Sequence, residues 1–318
     1  MTYREVLIEG TNRLSKKNIS EYENNAWLLF EYVFKLSRHQ YFMKMNDAIS
    51  DDNAVEIYRT CIEKRATHVP VQYITGTQDF MGLNFLVNQN VLIPRQDTEI
   101  LVEKVLNIIE VIQHNSYDVK LQKLIDKEST RENIFKVATD AHNKINVLDM
   151  CTGSGCIAVS VSLHGNVDVT AVDISEKALE VAKNNAKNLG ADRVKFIESD
   201  LFKKINVNNG VEQDQRYDII VSNPPYIPSK VVDGLMPEVV EHEPRLALDG
   251  TEDGLWFYRK ITEESLKYIK PNGWLCYEIG CEQGEDVSRI MMDNGYKDVK
   301  VIKDLAGLDR VVTGRVMA

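Results

Sequence analysis

Between residues 145 and 315 the chain alternates strand-like and helix-like patterns, and few architectures accommodate that alternation. The strand-like runs are INVLDM (145–150), VDVTAVD (167–173), VKFI (194–197), YDIIVS (217–222), WLCYEI (274–279), VKVI (299–302) and RVVTG (310–314). Helix signals separate several of them, such as Ser175 to Leu189 closed by Gly190, and Leu255 to Ile269 closed by KPNG. The pattern predicts an α/β fold with a doubly wound, mainly parallel, seven-stranded sheet. No internal repeat or low-complexity tract is present.

The 318 residues leave room for a smaller unit ahead of that sheet. Residues 1–70 read as a small N-terminal helical domain. One stripe runs through Tyr22, Ala26, Leu29, Val33 and Leu36, with Ser20 and Glu23 spaced as a capping box at its start. A second stripe, Val55, Tyr58, Ile62 and Ala66, follows the acidic start Asp51-Asp52. Residues 71–95 alternate β-branched and aromatic side chains, with Gly76 and Gly82 as turn candidates, and predict a β-hairpin linker. The third unit spans 96–318, with a helix near 96–110 and then a polar insertion at about 111–144 that carries no interpretable motif.

No apolar run approaches the roughly 18–20 residues of a membrane span, and the first 17 residues show neither a continuous apolar stretch nor a small-residue cleavage site. The expectation is a soluble cytoplasmic protein with no membrane partner. A formal charge of −10 disfavours non-specific contact with nucleic-acid phosphates. The five cysteines lack C-x-x-C spacing and the six histidines are scattered, so reduced structural thiols and no metal are expected.

The stretch VLDMCTGSGCIAV reads as a strand, a glycine turn and a helix start, where backbone N–H groups are free to meet a ligand. Asp173 ends the next strand, 20 residues after Gly153, the offset at which a carboxylate accepts from a ribose. Gly153, Gly155 and Ala158 also satisfy the dinucleotide fingerprint, so the turn by itself leaves the cofactor open. Asp200, just past the third strand, is placed to accept from an adenine amino group.

At the end of the fourth strand stands Asn223-Pro224-Pro225-Tyr226. Each proline forces the residue before it into extended geometry, and neither has an N–H. The result is a stiff row of acceptors, the Asn223 side-chain oxygen among them, suited to a planar NH2 group that the Tyr226 ring can cover. An amide nitrogen receiving a methyl group turns positive, so hydrogen bonds from its protons to neutral oxygens strengthen in the transition state and no strong base is needed.

VLDMCTGSG, Asp173, Asp200 and VSNPPY together resemble the class I S-adenosylmethionine-dependent methyltransferases that act on planar nitrogens. More narrowly, PVQYITGTQDFMGLNFLVNQNVLIPRQDTEILV, HEPRLALDGTEDGL and DRVVTGR are similar to the glutamine methyltransferases of peptide chain release factors. That resemblance covers about residues 65–318 apart from the insertion, and the helical N-terminal domain is typical of the same family. It implies S-adenosylmethionine as cofactor, held by Cys151, Thr152, Gly153, Ser154, Gly155, Asp173, Asp200, Leu201 and Asn223. It implies that Asn223, Pro224, Pro225 and Tyr226 grip the glutamine of a Gly-Gly-Gln loop in a release factor. A monomer is expected. Arg95, Asp97, Glu99, Glu243 and Arg245 belong to the shared motifs as structural ion pairs or substrate contacts. The chain departs from the family at Cys151, where a glycine is usual, at Leu201, which is aromatic in some relatives, and at Gln96, where a proline is usual. A Cys151 with negative φ would be harmless and one with positive φ strained.

Related readings remain. A sister family methylates a glutamine of a large-subunit ribosomal protein, and adenine-N6 methyltransferases share Asn-Pro-Pro-Tyr, although the negative charge weighs against nucleic acid. A nicotinamide dehydrogenase lacks any hydride-transfer machinery here, and a mere cofactor sensor has no need of an amide grip.

Overall fold

Leu14, Ala26, Leu29, Phe30, Tyr58 and Ile62 recur at helical spacing and are all buried, which draws the N-terminal helices into one cluster. The computed structural model describes residues 1–125, 145–205 and 216–317, with the backbone alone over 115–125. The N-terminal helices are α1 (Tyr3–Ser15), α2 (Tyr22–Phe34), α3 (Arg38–Lys44) and α4 (Asp52–Ala66). α1 packs so closely on α4 that a Cβ on Gly10 would lie 2.2 Å from the Tyr58 hydroxyl oxygen. That hydroxyl donates to the Ala26 carbonyl at 3.2 Å and ties α4 to α2.

The expected capping box at Ser20 and Glu23 does not form. Glu21 takes the cap position with φ 49° and makes no side-chain cap bond, while Asn25 Nδ2 donates to the Ser20 and Glu21 carbonyls. Capping boxes form instead at Thr2 with Glu5 and at Ser37 with Gln40.

A short helix α5 (Val71–Thr75), ended by Gly76 at φ 81°, leads into an antiparallel hairpin of β1 (Thr77–Phe80) and β2 (Leu83–Leu86). Helix α6 (Asp97–Ile125) runs well past the expected limit near 110 into the polar insertion. The rest of that insertion, 126–144, lies outside the described residues.

Then follow β3 (Asn146–Met150), α7 (Cys156–Gly165), β4 (Asp168–Asp173), α8 (Glu176–Leu189), β5 (Val194–Glu198) and β6 (Tyr217–Ser222). Three single-turn helices, α9 (Ser229–Val232), α10 (Pro237–Val240) and α11 (Arg245–Leu248), precede α12 (Trp256–Ser265). The chain closes with β7 (Ile269–Glu278), α13 (Gly284–Asp293), β8 (Lys297–Lys303) and β9 (Asp309–Arg315). α12 stops at Ser265, short of the expected Ile269, and KPNG lies within β7, where Asn272 at φ 64° accompanies a register shift against β6.

The seven strands lie in the order β5-β4-β3-β6-β7-β9-β8, parallel from β5 to β7, with β9 antiparallel to both β7 and β8. Side chains alternate between two apolar layers: Val147, Ile219, Val221 and Cys276 on one face, Leu148, Ile220, Leu275 and Tyr277 on the other. α6 and α7 cover the first layer through Leu101, Val105, Ile157 and Val161. α12 and α13 cover the second through Tyr258, Ile261, Val287 and Met291. The chain winds outward from β3 through β4 to β5, then returns to place β6 on the other side of β3. This makes the carboxyl ends of β3 and β6 the switch point where open sheets of this kind bind ligands.

Candidate active site

At the end of β3 three positive-φ residues build the glycine turn: Cys151 (63°), Gly153 (56°) and Gly155 (79°). Gly155 N donates to Thr152 O at 2.9 Å, and α7 starts at the next residue. A Cβ on Gly155 would sit 3.0 Å from Ala182 Cβ, so conformation and the approach of α8 both require glycine there. Cys151 holds the strained geometry with an ordinary side chain. Its thiol pKa is pushed upward, first by burial and then by Asp173 and Asp149, so the sulfur stays protonated and structural.

Asp173 braces this turn. Its Oδ2 accepts from Gly153 N at 2.8 Å and its Oδ1 from Ser175 N at 2.9 Å, and each oxygen keeps a further lone pair. Burial raises its pKa and the backbone hydrogen bonds pull it back. Behind the turn, fully buried Asp149 accepts from Thr152 Oγ1 at 2.5 Å and leaves Oδ1 without a partner among the described residues. Burial pushes the Asp149 carboxyl up to about 7, partly offset by Thr152 and the nearby Ala158 N–H. Asp200 is half-exposed and pairs with Lys203 at 2.6 Å, and Leu201 beside it is buried at φ 48°.

β6 is locked to β3 where Ser222 Oγ donates to Met150 O at 2.6 Å, which places Asn223 beside the glycine turn. Asn223 Nδ2 reaches Thr98 Oγ1 of α6 at 3.4 Å. The strand end is then held from outside by residues 248–254. Ile227 N donates to Leu248 O, Gly250 N to Ile227 O, and a Cβ on Gly254 would lie 2.3 Å from Tyr226 O. Gln283 Nε2 donates to Tyr226 O at 3.0 Å, and burial raises the Tyr226 hydroxyl pKa.

One cavity of about 1170 Å³, counting its opening to solvent, gathers Cys151, Thr152, Gly153, Ser154, Asp173, Asp200, Leu201, Asn223 and Pro225. Gly155, Pro224 and Tyr226 are not among its lining residues. Gly155 sits against α8, and Pro224 is buried. Pro94, Thr98, Leu246, Trp256 and Phe257 complete the wall. A nucleoside-sized sulfonium cofactor fits such a site: an acid bracing a glycine turn, an apolar wall with Leu201 and Ile174, and a second acid at Asp200.

The charged motif residues form pairs. Arg95 Nη2 contacts both oxygens of buried Glu243, at 2.7 and 2.8 Å, and Arg310 reaches Asp97 at 3.2 Å. Glu99 accepts from Met81 N at 2.6 Å, and Arg245 pairs with Asp233 and Asp249.

Three side chains at the site escaped sequence reasoning. Asn185 of α8 donates to Ser154 O and to Leu86 O and accepts from Leu86 N, fastening the β-hairpin to the glycine turn. Thr98 of α6 reaches Asn223, and Glu278 of β7 follows Tyr277 just as Asn223 follows its partner Ser222. A carboxylate in the apolar run WLCYEI is the one sequence signal that marks Glu278.

Fold and site define a methyltransferase of the doubly wound class, and residues 141–306 match a methyltransferase domain model. Residues 5–76 match the PrmC N-terminal domain. A release factor glutamine methyltransferase of Clostridium acetobutylicum is 37% identical over 314 residues, 98% of each chain. Another, of Geobacter sulfurreducens, is 35% identical over 99% of this chain and 97% of its own. The hMettl16 catalytic domain, crystallised with a MAT2A 3'UTR hairpin, shares the fold at a TM-score of 0.50 with 13% identity, over 92% of this chain and 93% of that one. The chain belongs to the release factor glutamine methyltransferase family.

Proposed function

We propose that this protein methylates the side-chain amide nitrogen of the glutamine in the Gly-Gly-Gln loop of peptide chain release factors, with S-adenosylmethionine as donor. The observation that carries the reading is the meeting of Asn223 and Pro225 with the glycine turn and Asp173 in one cavity at the switch point. When bound, the cofactor supplies an electrophilic methyl group on a sulfonium. Gly153, Asp173, Asp200 and Leu201 hold its nucleoside portion in this reading. The Asn223 side-chain oxygen and the carbonyls of the proline segment accept from the glutamine NH2, hold it planar and aim its nitrogen. Hydrogen bonds to these neutral acceptors strengthen as the nitrogen turns positive, so the chain needs to supply no strong base, and the methylated amide gives up one proton to water. The surrounding apolar wall, Trp256 and Phe257 included, keeps water from the reacting groups.

The unit boundaries belong to the same proposal: residues 1–70 as a helical module, 71–95 as a hairpin linker and 96–318 as the catalytic unit. The test is incubation with S-adenosylmethionine and an unmethylated release factor, followed by mass spectrometry of the Gly-Gly-Gln peptide. A gain of one methylene on that glutamine is expected. An unmodified peptide from protein that binds the cofactor would refute the substrate.

A further inference from the structure

We infer that Glu278 is a positioning residue that sets which end of the Asn223 amide faces the cavity and makes that end a stronger acceptor. The inference rests on the proposed glutamine-methylating reading. β6 and β7 run parallel with Ser222 opposite Tyr277, so Asn223 and Glu278 are the next residues along two neighbouring strands. Glu278 is 3% exposed, and its Oε2 has no hydrogen-bond partner among the described residues. A buried carboxyl with a vacant acceptor is costly, and the proposed methyl transfer assigns it no direct step.

The Thr98 and Asn223 side chains lie close enough to the Glu278 carboxyl to favour its ionised form. An ionised carboxylate can only accept, so it draws the NH2 end of Asn223 toward itself. The Thr98 hydroxyl, 3.4 Å from Nδ2, accepts from the same NH2 group. With both donors turned inward, Oδ1 is the end left for the cavity, and it is the acceptor that a glutamine NH2 requires. The charge behind the amide polarises it further, and that effect grows as positive charge builds on the glutamine nitrogen. A protonated Glu278 both donates and accepts, so it loses the preference and the charge together.

Around this carboxyl, Asp97 of α6 disfavours ionisation and Arg310 of β9 favours it. Tyr226, Tyr258 of α12 and Cys156 of α7 are all shifted upward by burial and stay neutral near pH 7. Burial pushes Glu278 up to about 7. Turnover should therefore rise with pH through that region as Glu278 ionises. Asp149 is also pushed up to about 7, so a rate profile alone does not separate the two acids.

The decisive signal is the side-chain NH2 of Asn223 in the full chain labelled with 15N-asparagine and assigned by its loss in Asn223→Ala. In the wild type this signal should move in one step near pH 7, and in Glu278→Gln it should not move. At pH 8 Glu278→Gln should lose roughly 10- to 100-fold in kcat, with KM and cofactor affinity changed far less and Tm close to wild type. Thr98→Val should lose less in the same direction. An Asn223 signal that titrates identically in wild type and Glu278→Gln overturns the inference, as does wild-type kcat in the folded variant. The Asn223 signal needs no substrate. Its Glu278-dependence upholds the positioning role even where the release factor proves the wrong substrate, and its absence overturns the role even where the wild type methylates the glutamine.

Discussion

At Cys151 the backbone takes φ 63° where a glycine would be unstrained, inside a turn that Asp173 and Thr152 hold in place. The strain is tolerated because a single unbranched side chain reaches an apolar position beside the second core layer. Cys151→Gly should keep or slightly raise the urea midpoint, because relief of strain offsets the larger entropy of an unfolded glycine. Cys151→Val, β-branched at the same φ, should cost about 1–2 kcal/mol in the same titration. A valine variant as stable as the wild type would show that the turn is not strained. At this scale the residues readable from sequence were those with fixed spacing, such as Gly153, Asp173 and Asn223. Asn185, Thr98 and Glu278 escaped because α8, α6 and β7 bring them to the site only through tertiary packing.

Among elements, the packing of α1 on α4 is the most exacting contact the glycines record. Gly10→Ala gains helix propensity of up to about 1 kcal/mol, but its Cβ would press on a buried tyrosine that is already hydrogen-bonded to Ala26. The clash should win, with a net loss of about 1–3 kcal/mol by thermal or urea unfolding, and Tyr58→Phe should not relieve it fully because ring carbons lie within 2.9 Å as well. Unchanged stability in Gly10→Ala would mean that α1 moves away at no cost. The seven apolar runs each coincide with a strand of the sheet, although β7 begins at Ile269, ahead of its run. Element ends were less readable. Asn25 displaces the Ser20 cap by bonding two carbonyls, and KPNG bends within β7 instead of closing a helix.

For the whole molecule, a charged residue with little solvent contact ties the N-terminal helices to α10 of the catalytic unit. Arg65 is 3% exposed and reaches Glu238 Oε2 at 2.7 Å, Asn25 Oδ1 at 2.7 Å and Val69 O at 3.4 Å, while His242 meets Thr67 O nearby. Glu238 lies in the segment that follows Asn-Pro-Pro-Tyr, so the helical unit and the site wall share this anchor. Arg65→Met keeps the aliphatic length but removes three charge-assisted contacts. It should cost about 2–3 kcal/mol in global unfolding while leaving cofactor affinity near wild type. A variant of unchanged stability would show that Arg65 does not carry the joint. Nothing in the sequence pointed to this joint, because its members stand 173 residues apart.

The proposed methyl transfer turns on the amide grip of Asn223. The most direct measurement is turnover on a release factor together with cofactor affinity, for wild type and Asn223→Ala side by side. The grip predicts turnover lower by at least about 100-fold, with cofactor affinity reduced much less. Equal turnover in the two proteins would contradict it.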